Sequence, residues 1–290
     1  MTDADNFRPR RSVLYMPAAN ARALEKAKSL PCDGLILDLE DAVAPDAKHA
    51  ARDAACAAAA SGDYGNREVT IRVNGADTEW HRADLEATCA AGPDAVVVPK
   101  VGSADAVLEL VEAMTGFGAP DHTMLWAMVE TPAAMLHAEE IAAASERLTV
   151  LVMGTNDLAK ELNAEHVPGR HPLLPALGLA LLAARATGTA ILDGVFNDVR
   201  DNDGFLAECR QGREMGFDGK TLIHPSQIAG ANAAFAPSEQ AVEEACGILE
   251  AWANGAGAGV VTYRGRMVEN LHVESARRTL ALDQAIRERG

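Results

Sequence analysis

Short apolar runs recur along this chain and alternate with longer, Ala-rich amphipathic stretches. The runs SVLYM (12–16), GLILDL (34–39), EVTIRV (68–73), AVVVP (95–99), MLWAMV (124–129), LTVLVM (148–153), AILDGV (190–195) and KTLIHP (220–225) read as eight strands. They are nearly continuous in apolar character, which is what a parallel sheet covered on both faces requires. Their starts lie mostly 22 to 34 residues apart, the length of one βα unit. Eight such units predict a closed (β/α)8 TIM barrel rather than an open sheet. The longest gap, between 148 and 190, carries the insertion EHVPGRHPLLP before a helix predicted from about 173 to 187.

After the eighth run the pattern changes. A long helix is expected from about Ser238 to Asn254, then a Gly-rich hinge GAGAG (255–259), a hairpin-like VVTYRGRMV, and a last helix over about 274–288. The division predicted is a catalytic barrel over 1–235 and a C-terminal helix, hinge and lid segment over 236–290. Gly-rich segments are flexible connections, so the tail can swing as a lid or reach a neighbouring subunit; a terminal helix packed on the barrel wall is the competing reading.

Composition adds limits. A chain of 290 residues with 48% hydrophobic and 23% charged content can bury a large core. Its formal charge of −16 argues against a surface built to neutralise nucleic-acid phosphates. No stretch approaches the ~20 apolar residues of a membrane span, and the start MTDADNFRPRR lacks the apolar run of a secretory leader. A cytoplasmic protein is expected. The five cysteines, Cys32, Cys56, Cys89, Cys209 and Cys246, show no CxxC pairing and read as free thiols rather than disulfides or zinc ligands.

Candidate chemistry falls at one kind of place. Asp38, Glu40 and Asp41 follow the second run, Arg72 and Asn74 the third, Lys100 the fourth and Glu130 the fifth. Asn156 and Asp157 follow the sixth, Asp193 and Asn197 the seventh, and His224 the eighth. In a barrel these strand ends converge on one mouth, where active sites of the fold are found. Any one of them alone reads equally as a helix cap; the ring as a whole does not.

Glu130 and Asp157 stand about one βα unit apart, so their carboxylates should face the same space from adjacent strands. Two hard oxygen donors suit Mg2+, which commonly takes one or two protein carboxylates and leaves its other positions to water and substrate. The competing reading of Glu130 is a helix-start acid favoured by the helix dipole. The turn Gly154, Thr155, Asn156, Asp157 should point backbone amides outward and bind an anion such as a keto-acid carboxylate. Arg72 projects from an otherwise apolar strand and needs a partner, for which Asp38, Glu40 and Asp41 are candidates; a purely structural ion pair is the alternative. His224 receives no proton-transfer role.

Several motifs taken together resemble one family. RSVLYMPAANARALEKA (11–27), LILDLEDAVAPDAKHAAR (35–52), IRVNG (71–75), VVVPKV (96–101), ETPAAM (130–135), LVMGTNDLAKEL (151–162) and GKTLIHPSQI (219–228) are similar to the citrate lyase beta subunit, malyl-CoA lyase and HpcH/HpaI aldolase superfamily. The resemblance implies a Mg2+-dependent carbon–carbon lyase acting on a 3-hydroxyacyl-CoA such as malyl-CoA or citramalyl-CoA, giving acetyl-CoA and a 2-keto acid. It implies Glu130 and Asp157 as metal ligands, Arg72 at the reacting oxygens, and Glu40 and Asp41 orienting Arg72 and metal-bound water.

It further implies a homotrimer or hexamer in which the C-terminal segment covers a neighbour's site, with Glu269 of GRMVEN standing where relatives carry an acid/base carboxylate, usually Asp. Arg10, Arg11, Arg22 and Lys26 cluster on the side the family uses for the nucleotide; for Arg22 and Lys26 the plain alternative is a solvated helix face. A thioesterase or synthase using the same site, and a beta-type subunit that needs an acyl-carrier partner, are the other functions to weigh.

Overall fold

The computed structural model describes residues 8–255 and 259–289. The chain divides into two compact units, Arg10–Ala234 and a C-terminal unit that starts at Phe235.

The first unit is a closed eight-stranded parallel barrel, β1 through β8 in chain order, with β8 pairing back onto β1. The strands are β1 Ser12–Pro17, β2 Gly34–Asp38, β3 Glu68–Arg72, β4 Ala95–Val98, β5 Met124–Val129, β6 Leu148–Met153, β7 Ala190–Asp193 and β8 Gly219–Leu222. All eight expected runs are strands, several trimmed by a residue or two where the chain turns into its helix. β2, β3 and β4 are buried at every position, because barrel on one side and helices on the other leave no face for water.

Side-chain parity sorts the residues of each strand. Val13, Ile36, Ala95, Val97, Trp126, Met128, Val150, Val152 and Leu192 form one buried cluster that fills the barrel interior. Beneath it the Arg10 guanidinium lies 5.4 Å from the centre of the Trp126 ring and makes a two-pronged pair with Glu68 at 2.6 and 2.8 Å. Arg11 pairs in the same way with Asp33. Glu68 opens β3 and Asp33 immediately precedes β2, so these pairs belong to the N-terminal end of the barrel, away from the mouth. Arg10 and Arg11 are therefore engaged in the floor and are not part of a nucleotide-binding patch, a correction to the expectation.

The C-terminal unit contains a helix over Glu239–Asn254, the antiparallel pair β9 Val261–Tyr263 and β10 Arg266–Val268, and a helix over Asn270–Arg289. The last helix begins four residues before the expected start. Within this unit an added Cβ at Gly247 would strike the Tyr263 ring, so the hairpin seats against the first helix only because that position is bare. Residues 256–258 of the expected Gly-rich hinge lie outside the described residues. Among the described residues no helix is long and apolar enough to cross a membrane.

Candidate active site

Asp38 and Arg72 close their strands side by side, since β2 and β3 pair them directly. Arg72 Nε and one terminal nitrogen donate to the two Asp38 oxygens at 2.6 and 2.7 Å. The other terminal nitrogen reaches Glu40 at 2.7 Å and Asp41 at 3.4 Å, and the guanidinium lies 4.9 Å from the centre of the Tyr15 ring. Arg72 is thus fixed in plane by Asp38 and turns its remaining edge toward Glu40 and Asp41. Asp38 also accepts the backbone N–H groups of Glu40 and Ala42, so one carboxylate sets both the arginine and the turn beside it.

Lys48 completes this side. Its ammonium is buried and donates to Leu39 O, Glu40 O and Asn74 Oδ1 at 2.7 to 2.8 Å, satisfying all three of its donors. Burial pulls its pKa down against the pull of Asp38 and Glu40. Asn74, expected in the mouth ring, is instead a brace between Lys48 and the buried Asp84. Lys48 carried no signal in the sequence, where it opens an Ala-rich helix and looks solvated.

Glu130 follows β5 and is almost fully buried, 2% exposed. One of its oxygens accepts the backbone N–H of Lys100 at 2.8 Å. Lys100 sits at φ 54, in the left-handed region that a non-glycine residue rarely adopts, and this turn presents its amide to the carboxylate. The Lys100 side chain itself is exposed. Burial first, then the negative charges of Asp157 and Glu40, push the Glu130 carboxyl up to about 8. Glu40 is pushed up to about 7 by burial, with Asp41 and Asp38 adding to the rise and Arg72 opposing it.

In the turn after β6, Gly154 departs from its expected role. The Gly154 N–H donates to Val129 O at 3.3 Å, continuing the β5–β6 ladder, so Gly154 brings no free amide to an anion. Its contribution is space: a Cβ there would lie 2.0 Å from a Glu130 oxygen. Thr155 is buried and seats against Gly194, while Asn156 exchanges two amide hydrogen bonds with Asn197 at 2.8 and 3.1 Å. Asp157 is half-buried in the first turn of the helix Thr155–Glu161, where an acid is favoured by the helix dipole.

Two other members of the expected ring have different positions. Asp193 follows the inward-facing Leu192 and therefore faces the helix layer, where it binds Arg170 and Lys220. His224 is exposed and caps the turn Pro225–Gln227, with its ring nitrogen against Ser226. Arg22 and Lys26 are exposed on the helix Ala21–Ala27 that leaves β1 at the mouth end. Glu269 lies in the C-terminal unit between β10 and the last helix; it is half-buried, and its carbonyl accepts the N–H groups of His272 and Val273.

The donor set at the mouth fits a hard divalent cation. Burial, with the charge of Asp157 adding to it, raises the Glu130 carboxyl to about 8, and a cation between the two carboxylates would offset both effects. Among the described residues no group of three or more acidic, His or Cys side chains is arranged to enclose a metal.

A parallel α/β barrel with an arginine clamp and paired carboxylates at its C-terminal mouth defines the class of molecule. The chain belongs to the HpcH/HpaI aldolase/citrate lyase family, whose model matches residues 11–225, and a model described as a C-C bond lyase of the TIM-barrel fold matches residues 177–285. It is 53% identical over 285 residues to a (3S)-malyl-CoA thioesterase of Cereibacter sphaeroides strain KD131, covering 98% of each chain. It is 38% identical over 282 residues to the citrate lyase subunit beta of Escherichia coli K12, covering 94% of this chain and 93% of that one. The crystal structure of protein CitE from Mycobacterium tuberculosis in complex with magnesium, acetoacetate and coenzyme A superposes with a TM-score of 0.75 at 32% identity, covering 94% of this chain and 96% of that one.

Proposed function

We propose that this protein is a Mg2+-dependent carbon–carbon lyase that cleaves a 3-hydroxyacyl-CoA of the malyl-CoA or citramalyl-CoA type into acetyl-CoA and a 2-keto acid. The observation that carries the reading is that one barrel mouth holds the buried Glu130 carboxylate and the Asp157 turn at the ends of β5 and β6 and the two-pronged Arg72–Asp38 clamp at the ends of β2 and β3. Glu130 and Asp157 would hold the ion. When bound, Mg2+ supplies Lewis-acid polarisation of the substrate oxygen that becomes the ketone.

The protein's own groups account for the rest. As the hydroxyl proton passes to water and the carbon–carbon bond breaks, the electron pair of that bond moves onto the thioester α-carbon and delocalises to the thioester oxygen. Arg72, held in plane by Asp38 with one edge toward the Glu40–Asp41 turn, is preorganised to donate to that oxygen. Glu40 and Asp41 fix the donating edge. The enolate must then take up one proton at carbon, and Glu269 is the residue assigned to deliver it. Arg22 and Lys26 are the cations offered to the CoA phosphates.

A second reading has specific support in the (3S)-malyl-CoA thioesterase relative: water attacks the thioester carbonyl, and the CoA thiolate leaves. Incubating the purified protein alone with Mg2+ and malyl-CoA or citramalyl-CoA separates the readings. Release of keto acid with no free thiol supports the lyase; release of thiol and hydroxy acid replaces it with the hydrolase; turnover only with an added acyl-carrier protein assigns a beta-type subunit. Glu269→Ala should keep Mg2+ and keto-acid binding but slow solvent exchange of the acetyl-CoA methyl protons, whereas Glu269→Asp should retain exchange; unchanged exchange in Glu269→Ala removes it from the mechanism.

We also infer a cytoplasmic homotrimer or hexamer with the C-terminal segment exchanged between subunits. The five free cysteines fit a reducing compartment. The helix Leu174–Thr187 is apolar except for Arg185 and Thr187 in its last turn, yet leaves Leu179 and Leu182 46% and 71% exposed, as a helix does when its outer face is covered in an assembly. Light scattering of the purified protein reads the subunit number directly.

A further inference from the structure

Asp193 is fully buried outside the barrel lumen, and the mechanism above does not use it. One of its oxygens accepts from Arg170 at 2.6 Å and from the Gly194 backbone N–H at 2.9 Å; the other accepts from Lys220 at 2.9 Å. Lys220 is shared with Glu208 at 2.7 Å. Buried ion pairs of this kind contribute little net stability compared with apolar residues of the same size, so their use here calls for another reason.

The reason is visible one residue further on. A Cβ at Gly194 would lie 2.3 Å from Thr155 Oγ1, 2.6 Å from its Cγ2 and 2.9 Å from its Cβ. Space rather than backbone conformation requires glycine there. Thr155 is the first residue of the helix Thr155–Glu161, whose first turn carries Asp157. Arg170 belongs to the segment that follows that same helix, is held at φ 53, and is braced by Gln211, which also reaches back to Gly169 O. A single carboxylate oxygen therefore grips both the surface on which the Asp157 turn seats and the segment into which its helix runs.

We propose that Asp193 and Gly194 are positioning residues for Asp157, acting from the helix-facing side of β7 through the seating of Thr155 on Gly194. The proposal rests on the reading of Asp157 as a metal ligand, and its test separates the two. The probe is Mn2+ binding followed by electron paramagnetic resonance, with Mg2+ as competitor, on the intact chain. Gly194→Ala should weaken Mn2+ binding about tenfold or more in the parent, but by less than about threefold in a Thr155→Ala background, where the two closest atoms, Oγ1 and Cγ2, are gone and only the Cβ at 2.9 Å remains.

Equal losses in the two backgrounds, or no loss in the parent, overturn the proposal. Where Gly194→Ala alone fails to fold, recovery of folding and Mn2+ binding in the double variant supports the same coupling; failure of both to fold shows that the barrel itself needs the glycine and overturns it. If the parent binds no Mn2+, the metal reading fails, and the Thr155 dependence is read instead from thermal melting of the same four proteins, where additive shifts overturn the steric coupling.

Discussion

Two buried ion pairs stand at strand ends of this barrel with similar chemistry and different access. Arg72 and Asp38 face the lumen, and Arg72 keeps an edge beside Glu40 and Asp41, with 8% of its side chain exposed. Lys220 and Asp193 face the helix layer, with both side chains at 0% exposure and their remaining bonds taken by Glu208, Arg170 and the Gly194 amide. One residue of strand parity separates a charge that can meet a substrate from one that cannot. In the proposed function the first pair meets an oxyanion; the second grips the Gly194 backbone and Arg170.

The largest effects that sharpen this contrast belong to the lumen side. Glu130→Ala or Asp157→Ala should reduce Mg2+-dependent turnover by about 10³-fold or more, the several kcal/mol a Lewis-acid centre supplies, while circular dichroism stays native. Unchanged Mg2+ affinity in both variants, measured by calorimetry, breaks the assignment. Arg72→Lys should cost about 10²- to 10³-fold in turnover, because an ammonium cannot bind Asp38 two-pronged and present a third donor in the same plane. Near-normal turnover would reduce Arg72 to a structural cation.

Lys220→Met tests the outer pair. Removing the cation leaves Asp193 with Arg170 and Gly194 on one oxygen but strips the other, and should lower stability by about 3 kcal/mol in urea unfolding while turnover of the folded protein changes by only a few-fold. A loss as large as that of Arg72→Lys would erase the distinction between the two pairs.

The smallest effect is one of pH. Glu130 and Glu40 are held above the ordinary carboxylate value of 4.5, at about 8 and about 7, so between those limits the metal-free native state binds more protons than the unfolded chain. Stability of the metal-free protein should be greatest below that window and fall as pH rises through it, the reverse of a salt-bridged carboxylate. Glu130→Gln should flatten the upper part of the fall, and Mg2+ binding by the parent should release protons; a stability that rises with pH across the window contradicts the burial of Glu130 against Asp157.

The order of apolar runs and their spacing by one βα unit were enough to determine the barrel, because strands covered on both faces leave near-continuous apolar stretches. The same register placed Glu130 and Asp157 on neighbouring strand ends and Arg72 beside Asp38, since adjacent strands bring their ends together whatever the helices do. What sequence spacing could not resolve was the direction of each side chain at those ends. Leu192 faces the lumen and sends Asp193 outward, Gly154 spends its amide on Val129 and gives Glu130 its room, and His224 folds back on its own turn. Lys48 was invisible for the same reason: its three acceptors come from two separate turns that meet only in the folded barrel. Periodicity and spacing are local and survive in one dimension, whereas burial, parity at a strand's last residue and close approach over a glycine exist only once the layers have packed.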